Sequence, residues 1–289
     1  YHLIEPALSF ASRNNDFESV FVSGNPINTS IIKTSHSLAK SADFTLIDIP
    51  MPLRYRLIDS YKGKLYPPVH TRFNKISSNL KDASAIVSTS HELPKYTKDN
   101  KIKTPKLFYL YHGTGTREYG FESDLGYFDY IFAPGPYHRD RLIRGKICNE
   151  KKIKLIEQPK FDWIEKHQKS EERFFNNNNP IFYYNPHWDM NLSSYLTWRN
   201  IILDFFRKYS DYNLIFAPHP LVKHLAKINK YTLENKNDSA DNIIIDLDSS
   251  KLNDGTYNKI ADVYIGDVSS MVTEWINFSP RSCIFINSH

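Results

Sequence analysis

The chain has 289 residues, 40% of them hydrophobic and 24% charged, and 37 Lys plus Arg against 32 Asp plus Glu leave a net charge of +5. This is the balance of a globular chain that can bury a core, long enough for one large or two ordinary domains. No run approaches the roughly 18 consecutive apolar residues of a membrane-spanning helix, and Cys148 and Cys283 form no CxxC pair. A disulfide framework and a structural zinc are therefore disfavoured, and a reducing compartment is expected. Residue 1 is Tyr rather than Met, with no basic-then-apolar leader after it. The chain thus reads as a fragment without a signal peptide.

Short β-branched or aromatic runs alternate with longer stretches of helical spacing. In chain order the expected strands are Ser19–Ser23, Thr45–Ile49, Ala85–Thr89, Leu107–Tyr111, Tyr130–Ala133 and Ile153–Glu157. A polar tract follows, Lys166–Pro180, with four consecutive asparagines at its end. Beyond it come Ile181–Asn185, Asn213–Ala217, Ile243–Leu247, Val263–Asp267 and Cys283–Asn287, with helices expected over Ser193–Tyr209 and Ser269–Asn277. Apolar strands separated by helices predict parallel α/β sheets. The polar tract predicts a linker, giving an N-terminal domain over 1–160, a linker over 161–180 and a C-terminal domain over 181–289. The chain stops at His289, straight after an expected core strand, so a truncated C-terminal part is expected.

The positive charge is clustered. Lys95, Lys98, Lys101, Lys103 and Lys106 form one group, and Arg144, Lys146, Lys151, Lys152 and Lys154 a second. Either group reads as a solvated loop or as a face that meets polyanions such as phospholipid head groups. Interleaved aromatics of the kind that bind single strands are lacking, so no nucleic-acid partner is expected. The ten glycines form neither GxGxxG nor a P-loop.

Three loops follow expected strands, on the side where parallel sheets bind ligands. In the first, Tyr111-His112-Gly113-Thr114-Gly115-Thr116, an imidazole stands on a flexible turn beside hydroxyls and backbone N–H groups. That suits a general base acting on an alcohol next to an anion, or simply a satisfied turn histidine. In the second, Pro218-His219-Pro220 leads into a helix whose open N–H groups can hold an anion, although a histidine there can equally serve as a cap. In the third, Asp267-Val268-Ser269-Ser270 opens a helix that carries Thr273 and Glu274. Its serines cap the helix, hold a diphosphate, or both.

Taken in order and spacing, these loops resemble the CDP-glycerol glycerophosphotransferase family, the teichoic-acid polymerase and primase group. Ala261–Glu274 looks like its AD-x-x-x-(T/S)-D-x-SS signature, and Tyr184-Asn185-Pro186-His187-Trp188 takes the place of its Y-A-P-T-W motif. Gly115-Thr116-Arg117 departs from the family's HGT-P-x-K loop, and Trp188-Asp189 from its usual Trp-Arg. The resemblance covers residues 80–289. It implies a GT-B-type α/β fold, two Rossmann-like domains facing across a cleft, with the donor in the C-terminal one.

The function implied is transfer of a glycerol-phosphate, polyol-phosphate or sugar unit from a nucleotide-activated, cytidine-linked donor to a hydroxyl of a cell-surface glycan or polymer. His112 and His219 are the implied catalytic residues. Asn185, His187, Pro220, Asp267, Ser269, Ser270, Thr273 and Glu274 are the implied donor residues, and Gly113, Thr114, Thr116 and Arg117 the acceptor or phosphate residues. No metal or further cofactor is implied. The acceptor is expected to be lipid-linked or polymeric, with the protein cytoplasmic and held peripherally on the anionic inner face of the membrane. Two alternatives stand beside this: a UDP-GlcNAc 2-epimerase-like enzyme, and a non-enzymatic polyanion-binding module.

Overall fold

The computed structural model describes residues 3, 7, 10, 13, 16–24, 28–30, 32–33, 44–56, 67–103, 105–113, 115, 120–167, 173–219, 221–223, 240–247, 251, 254–278 and 281–286. The chain divides into two compact units, Tyr1–His167 and Gln168–His289. All the paired strands in both run parallel.

In the first unit β1 (Val20–Ser23) pairs with β2 (Thr45–Asp48). A second sheet sets β3 (Ala85–Ser88), β4 (Lys106–Leu110), β5 (Tyr130–Ala133) and β6 (Ile153–Leu155) in sequential order. Parallel neighbours need crossovers, and helices supply them. The helices described in this unit are α1 (Leu53–Arg56), α2 (Val69–Lys75), α3 (Ser77–Asp82), α4 (Leu93–Asp99), α5 (Pro136–Arg144) and α6 (Pro159–His167), of which α4 joins β3 to β4 and α5 joins β5 to β6. Leu107 and Tyr109 on β4, with Ile131 and Ala133 on β5, pack against Leu93, Leu125, Phe128 and Leu142. Asp129 staples β4 to β5, accepting Leu107 N–H at 2.8 Å and meeting Lys106 Nζ at 3.2 Å. Burial opposes its charge, but those two donors hold the carboxyl below its ordinary pKa.

The second unit sets β7 (Ile181–Asn185), β8 (Asn213–Phe216), β9 (Ile243–Ile245), β10 (Val263–Gly266) and β11 (Ser282–Phe285) in the order β11-β10-β7-β8-β9. Each residue of β8 is buried, as a central strand covered on both faces should be. Strand alternation sends Leu214 and Phe216 to one face, where α7 (Tyr195–Lys208) contributes Leu203 and Phe206. Ile215 and Ala217 join the other core, with Tyr257 of α8 (Thr256–Ile260) and Trp275 of α9 (Ser270–Phe278).

Each of the eleven expected runs overlaps a strand, with the strands at Lys106–Leu110 and Ser282–Phe285 starting one residue earlier than expected. β6 ends at Leu155, and α6 opens at Pro159, a residue suited to the first turn of a helix. The asparagine tract is built into the second unit. Phe175 lies in the core beside Tyr183 and Trp275. The buried Asn213 exchanges side-chain hydrogen bonds with Asn177 at 2.6 and 3.2 Å and donates to Asn179 O at 3.0 Å. A buried amide must find such partners.

Candidate active site

In the second unit the chain runs outward from β7 to β9 and then returns to β10 on the other side of β7. Parallel sheets bind ligands at the carboxyl ends of strands where the order reverses, here beyond Asn185 and Gly266. The two ends are packed tightly. A Cβ on Gly266 would stand 2.6 Å from the Tyr264 hydroxyl and 2.8 Å from Asn185 O, so glycine is the residue that fits. Gly266→Ala should therefore lower unfolding stability by about 1–3 kcal/mol, the cost of overpacking, measured as a reduced denaturant midpoint.

Two residues expected to meet the donor turn inward. Asp267 is buried, and its carboxylate accepts His187 N–H at 2.7 Å and Ser194 N–H at 3.0 Å to each oxygen. Those bonds make it the anchor of the 186–194 loop rather than a ligand contact. Asn185 is buried too, with Nδ2 donating to Ala217 O at 2.6 Å, so that it ties β7 to the end of β8. Burial pushes the phenols of Tyr184 and Tyr264 up, which keeps these core hydroxyls neutral around the loop.

Of the two histidines, His187 is buried and His219 half-buried. His187 Nδ1 accepts Asp189 N–H at 3.0 Å, and its ring stacks on Trp188 with centroids 5.4 Å apart. His219 donates its backbone N–H to Pro186 O at 3.3 Å, while its Nδ1 accepts Leu221 N–H at 3.1 Å. A ring nitrogen that accepts carries no proton, so both imidazoles present Nε2–H. His219 thus caps the helical turn at 221–223. Ser269 Oγ accepts Met271 N–H at 3.2 Å and begins α9, and Ser270 is exposed. Thr273 Oγ1 donates to Ser270 O at 2.6 Å. Glu274 is half-buried, and its charge acts on the phenols of Tyr183 and Tyr264. The first turn of α9 with its serine hydroxyls lies at the carboxyl end of β10, and His219 at that of β8, on either side of β7. Pro220 lies outside the described residues.

In the first unit, β4 ends at Leu110 and is followed by Tyr111, His112 and Gly113. His112 keeps an edge open to solvent although neighbouring atoms crowd its ring, and a Cβ on Gly113 would meet nothing within 4 Å. Burial nearby lowers the His112 pKa and Glu122 opposes it, with solvent screening both. Tyr111 donates its hydroxyl to Gly120 O, and the buried His138 of α5 donates Nε2–H to Gly115 O at 3.2 Å. His138 packs edge-on against Tyr111 and stacks on Phe121, whose ring also carries the Arg141 guanidinium at 4.0 Å. Glu122 takes Gly120 N–H at 3.0 Å and lies 4.0 Å from His91 Nε2. Thr114, Thr116 and Arg117 lie outside the described residues.

His91, Glu122 and His138 were not legible as site residues. The signal for them is positional: each follows the carboxyl end of β3, β4 or β5, neighbours in the sheet. Part of the basic clusters lies at the other edge, while Lys95 and Lys98 lie along α4 and Lys154 within β6. Lys106 starts β4, Lys151 and Lys152 precede β6, and Arg144 ends α5. Lys152 is consumed by the fold, donating to Gly126 O at 2.7 Å and Phe128 O at 2.8 Å. Among the described residues no helix is long and apolar enough to cross a membrane.

No protein-family model matches the chain, and no curated protein does either. Solved structures do. S. aureus MnaA with UDP aligns at TM-score 0.63 and 12% identity, over 99% of this chain and 77% of that one. UDP-GlcNAc 2-epimerase from Neisseria meningitidis, bound to UDP-GlcNAc, aligns at 0.60 and 14% over 93% and 75%. The wall teichoic acid polymerase TagF aligns at 0.54 and 14% over 94% and 70%. The likeness is one of fold. The chain has the α/β, parallel-sheet architecture of these GT-B-type proteins.

Proposed function

We propose that the chain is a transferase that moves a glycerol-phosphate, polyol-phosphate or sugar unit from a cytidine-activated donor to a hydroxyl of a cell-surface glycan or polymer. The observation that carries this reading is the carboxyl edge of the second unit's sheet, where Ser269, Ser270 and the first turn of α9 follow β10 and His219 follows β8, beside the β7–β10 switch point. Such groups bind a diphosphate and stabilise the charge that develops on a departing nucleotide. Asn185, His187 and Asp267 keep the loops in place. The TagF likeness and the motif pattern around His112 and Ser269 favour a cytidine-linked donor.

For phosphoryl transfer the acceptor O–H gives its proton to His112 as its oxygen bonds to the donor phosphorus. The P–O bond to the nucleotide breaks, and CMP leaves with that electron pair. In this reading the acceptor is lipid-linked or polymeric. Contact with anionic lipid through the lysines would put the bilayer at the sheet edge opposite His112.

A thermal-shift panel with CDP, CMP, UDP and UDP-GlcNAc tests the donor. A ligand at 100 times its Kd stabilises by about 2.7 kcal/mol, so CDP should raise the melting temperature well above UDP at equal concentration. Equal or larger stabilisation by UDP would overturn the cytidine assignment. A second reading, epimerisation of a nucleotide sugar, draws on the higher fold likeness to the Neisseria epimerase. Conversion of UDP-GlcNAc to an epimer without added acceptor would favour it.

A further inference from the structure

α7 is apolar round more of its circumference than the second unit's sheet covers. Tyr195, Ile202, Leu203 and Phe206 are buried in the core on that sheet. Trp198, Ile201, Phe205 and Tyr209, the last closing the helix, are 39, 57, 48 and 43% exposed. At 100° per residue these four fall within an arc of about 80°, next to the buried arc, and run for about three turns. A helix lying on a core needs one apolar stripe and a polar remainder. α7 has a second stripe, facing outward. Phe205 and Tyr209 touch along it, with ring centroids 4.7 Å apart. Tyr212, just beyond the helix, is exposed as well and stands edge-on to Phe182 at 5.7 Å.

Area and charge select what covers this stripe. Taking about 150–250 Å² for each whole side chain, the four exposed fractions present roughly 400 Å². That is half of the ~800 Å² each partner brings to a stable protein complex, yet as large as apolar patches that mark a contact surface. The helix is also cationic. Arg199, Arg207 and Lys208 stand on it against one acid, Asp204, whose carboxylate meets Arg207 Nη1 at 3.0 Å. Lys208 borders the stripe, its Nζ 5.2 Å from the centre of the Tyr209 ring. Aromatic and branched side chains edged by Lys and Arg suit the headgroup boundary of an anionic bilayer, where rings settle at headgroup level and cations meet phosphates.

We propose that the outer face of α7 rests on an anionic lipid bilayer, with Trp198, Ile201, Phe205 and Tyr209 entering the headgroup boundary and Lys208 meeting lipid phosphates. The contact depends neither on the transfer reaction nor on the lysine clusters of the first unit.

The test mixes the full chain with vesicles of phosphatidylcholine alone and with vesicles carrying phosphatidylglycerol as well. Cosedimentation reads binding, and quenching of tryptophan fluorescence by brominated lipid reads insertion. Anionic vesicles should sediment the chain and quench Trp198, whose signal is the part lost in Trp198→Phe. Neutral vesicles should bind far less. Joint Ile201→Gln and Phe205→Gln, at exposed positions, should weaken vesicle binding about tenfold or more and leave the melting temperature and the response to CDP unchanged. Lys208→Gln should weaken it about fivefold, the effect of one cation at an anionic surface, and decides the matter if the double variant folds poorly. Replacing Lys95, Lys98, Lys101, Lys103 and Lys106 by Gln should leave Trp198 quenched in the bound chain. No binding to anionic vesicles, binding that the α7 variants leave unchanged, or an unquenched Trp198 in the bound chain overturns the proposal. So does a dimer in sedimentation velocity that the double variant dissolves, which would give the stripe to a second copy of the chain.

Discussion

His112→Ala is expected to lower turnover of the proposed transfer by about 10²–10⁴-fold, the contribution of a positioned general base. Affinity for CDP should stay within a factor of about two, because His112 belongs to the first unit and the proposed donor site to the second. Calorimetry on the variant checks the second half and a CMP-release assay the first. The pH dependence has a defined sign. Burial lowers the His112 pKa, so the imidazole is neutral and able to accept a proton at neutral pH. Turnover should fall only as pH drops below the ordinary histidine value. The same shift means that the unfolded chain binds its proton first on acidification. The small stabilisation His112 gives is thus present above that ordinary value and lost as pH falls toward the lowered one. A variant that lost CDP affinity as steeply as turnover would remove His112 from the role of base.

Asp267→Ala should be the most destabilising single change in the second unit. The carboxylate satisfies two buried backbone donors, His187 N–H and Ser194 N–H, on a loop that also carries the stacked Trp188. Each orphaned donor costs about 1–3 kcal/mol, against a typical total stability of ~5–15 kcal/mol. Chemical denaturation should show the loss. Asp267→Asn offers one accepting oxygen and turns an NH₂ toward the remaining donor, so its loss should be intermediate. If Asp267→Ala were as stable as the parent and merely weaker toward CDP, Asp267 would be a ligand contact after all.

The strands were legible because their signal is local. Val, Ile, Phe and Tyr runs such as Ile181–Asn185 can only be buried in a parallel sheet, and the structure has that strand at the same residues. The loops after β4, β8 and β10 were legible for a related reason, since short polar residues directly after such a run mark the ligand edge. What the sequence hid is the direction in which a side chain turns. Asp267 sits in the middle of a recognisable motif, yet its oxygens are taken by backbone N–H groups 73 and 80 residues away. Glu122 and His138 were hidden likewise, because their partners Gly120 and Gly115 matter only once α5 packs under the loop. The asparagine tract misled in the same way. Polar composition predicts solvent, but Asn177 and Asn179 serve a buried partner that begins β8, more than 30 residues on.

The most direct test of the account is where a nucleotide lands. Backbone amide resonances of the isotopically labelled chain are followed as CDP is added. The account predicts shifts at His219, Leu221, Ser270 and Met271, along the edge where β7, β8 and β10 end, with Lys106 and Lys152 at the far edge of the first unit's sheet unmoved. Shifts confined to the lysine clusters, or none at the α9 terminus at saturating CDP, would contradict it.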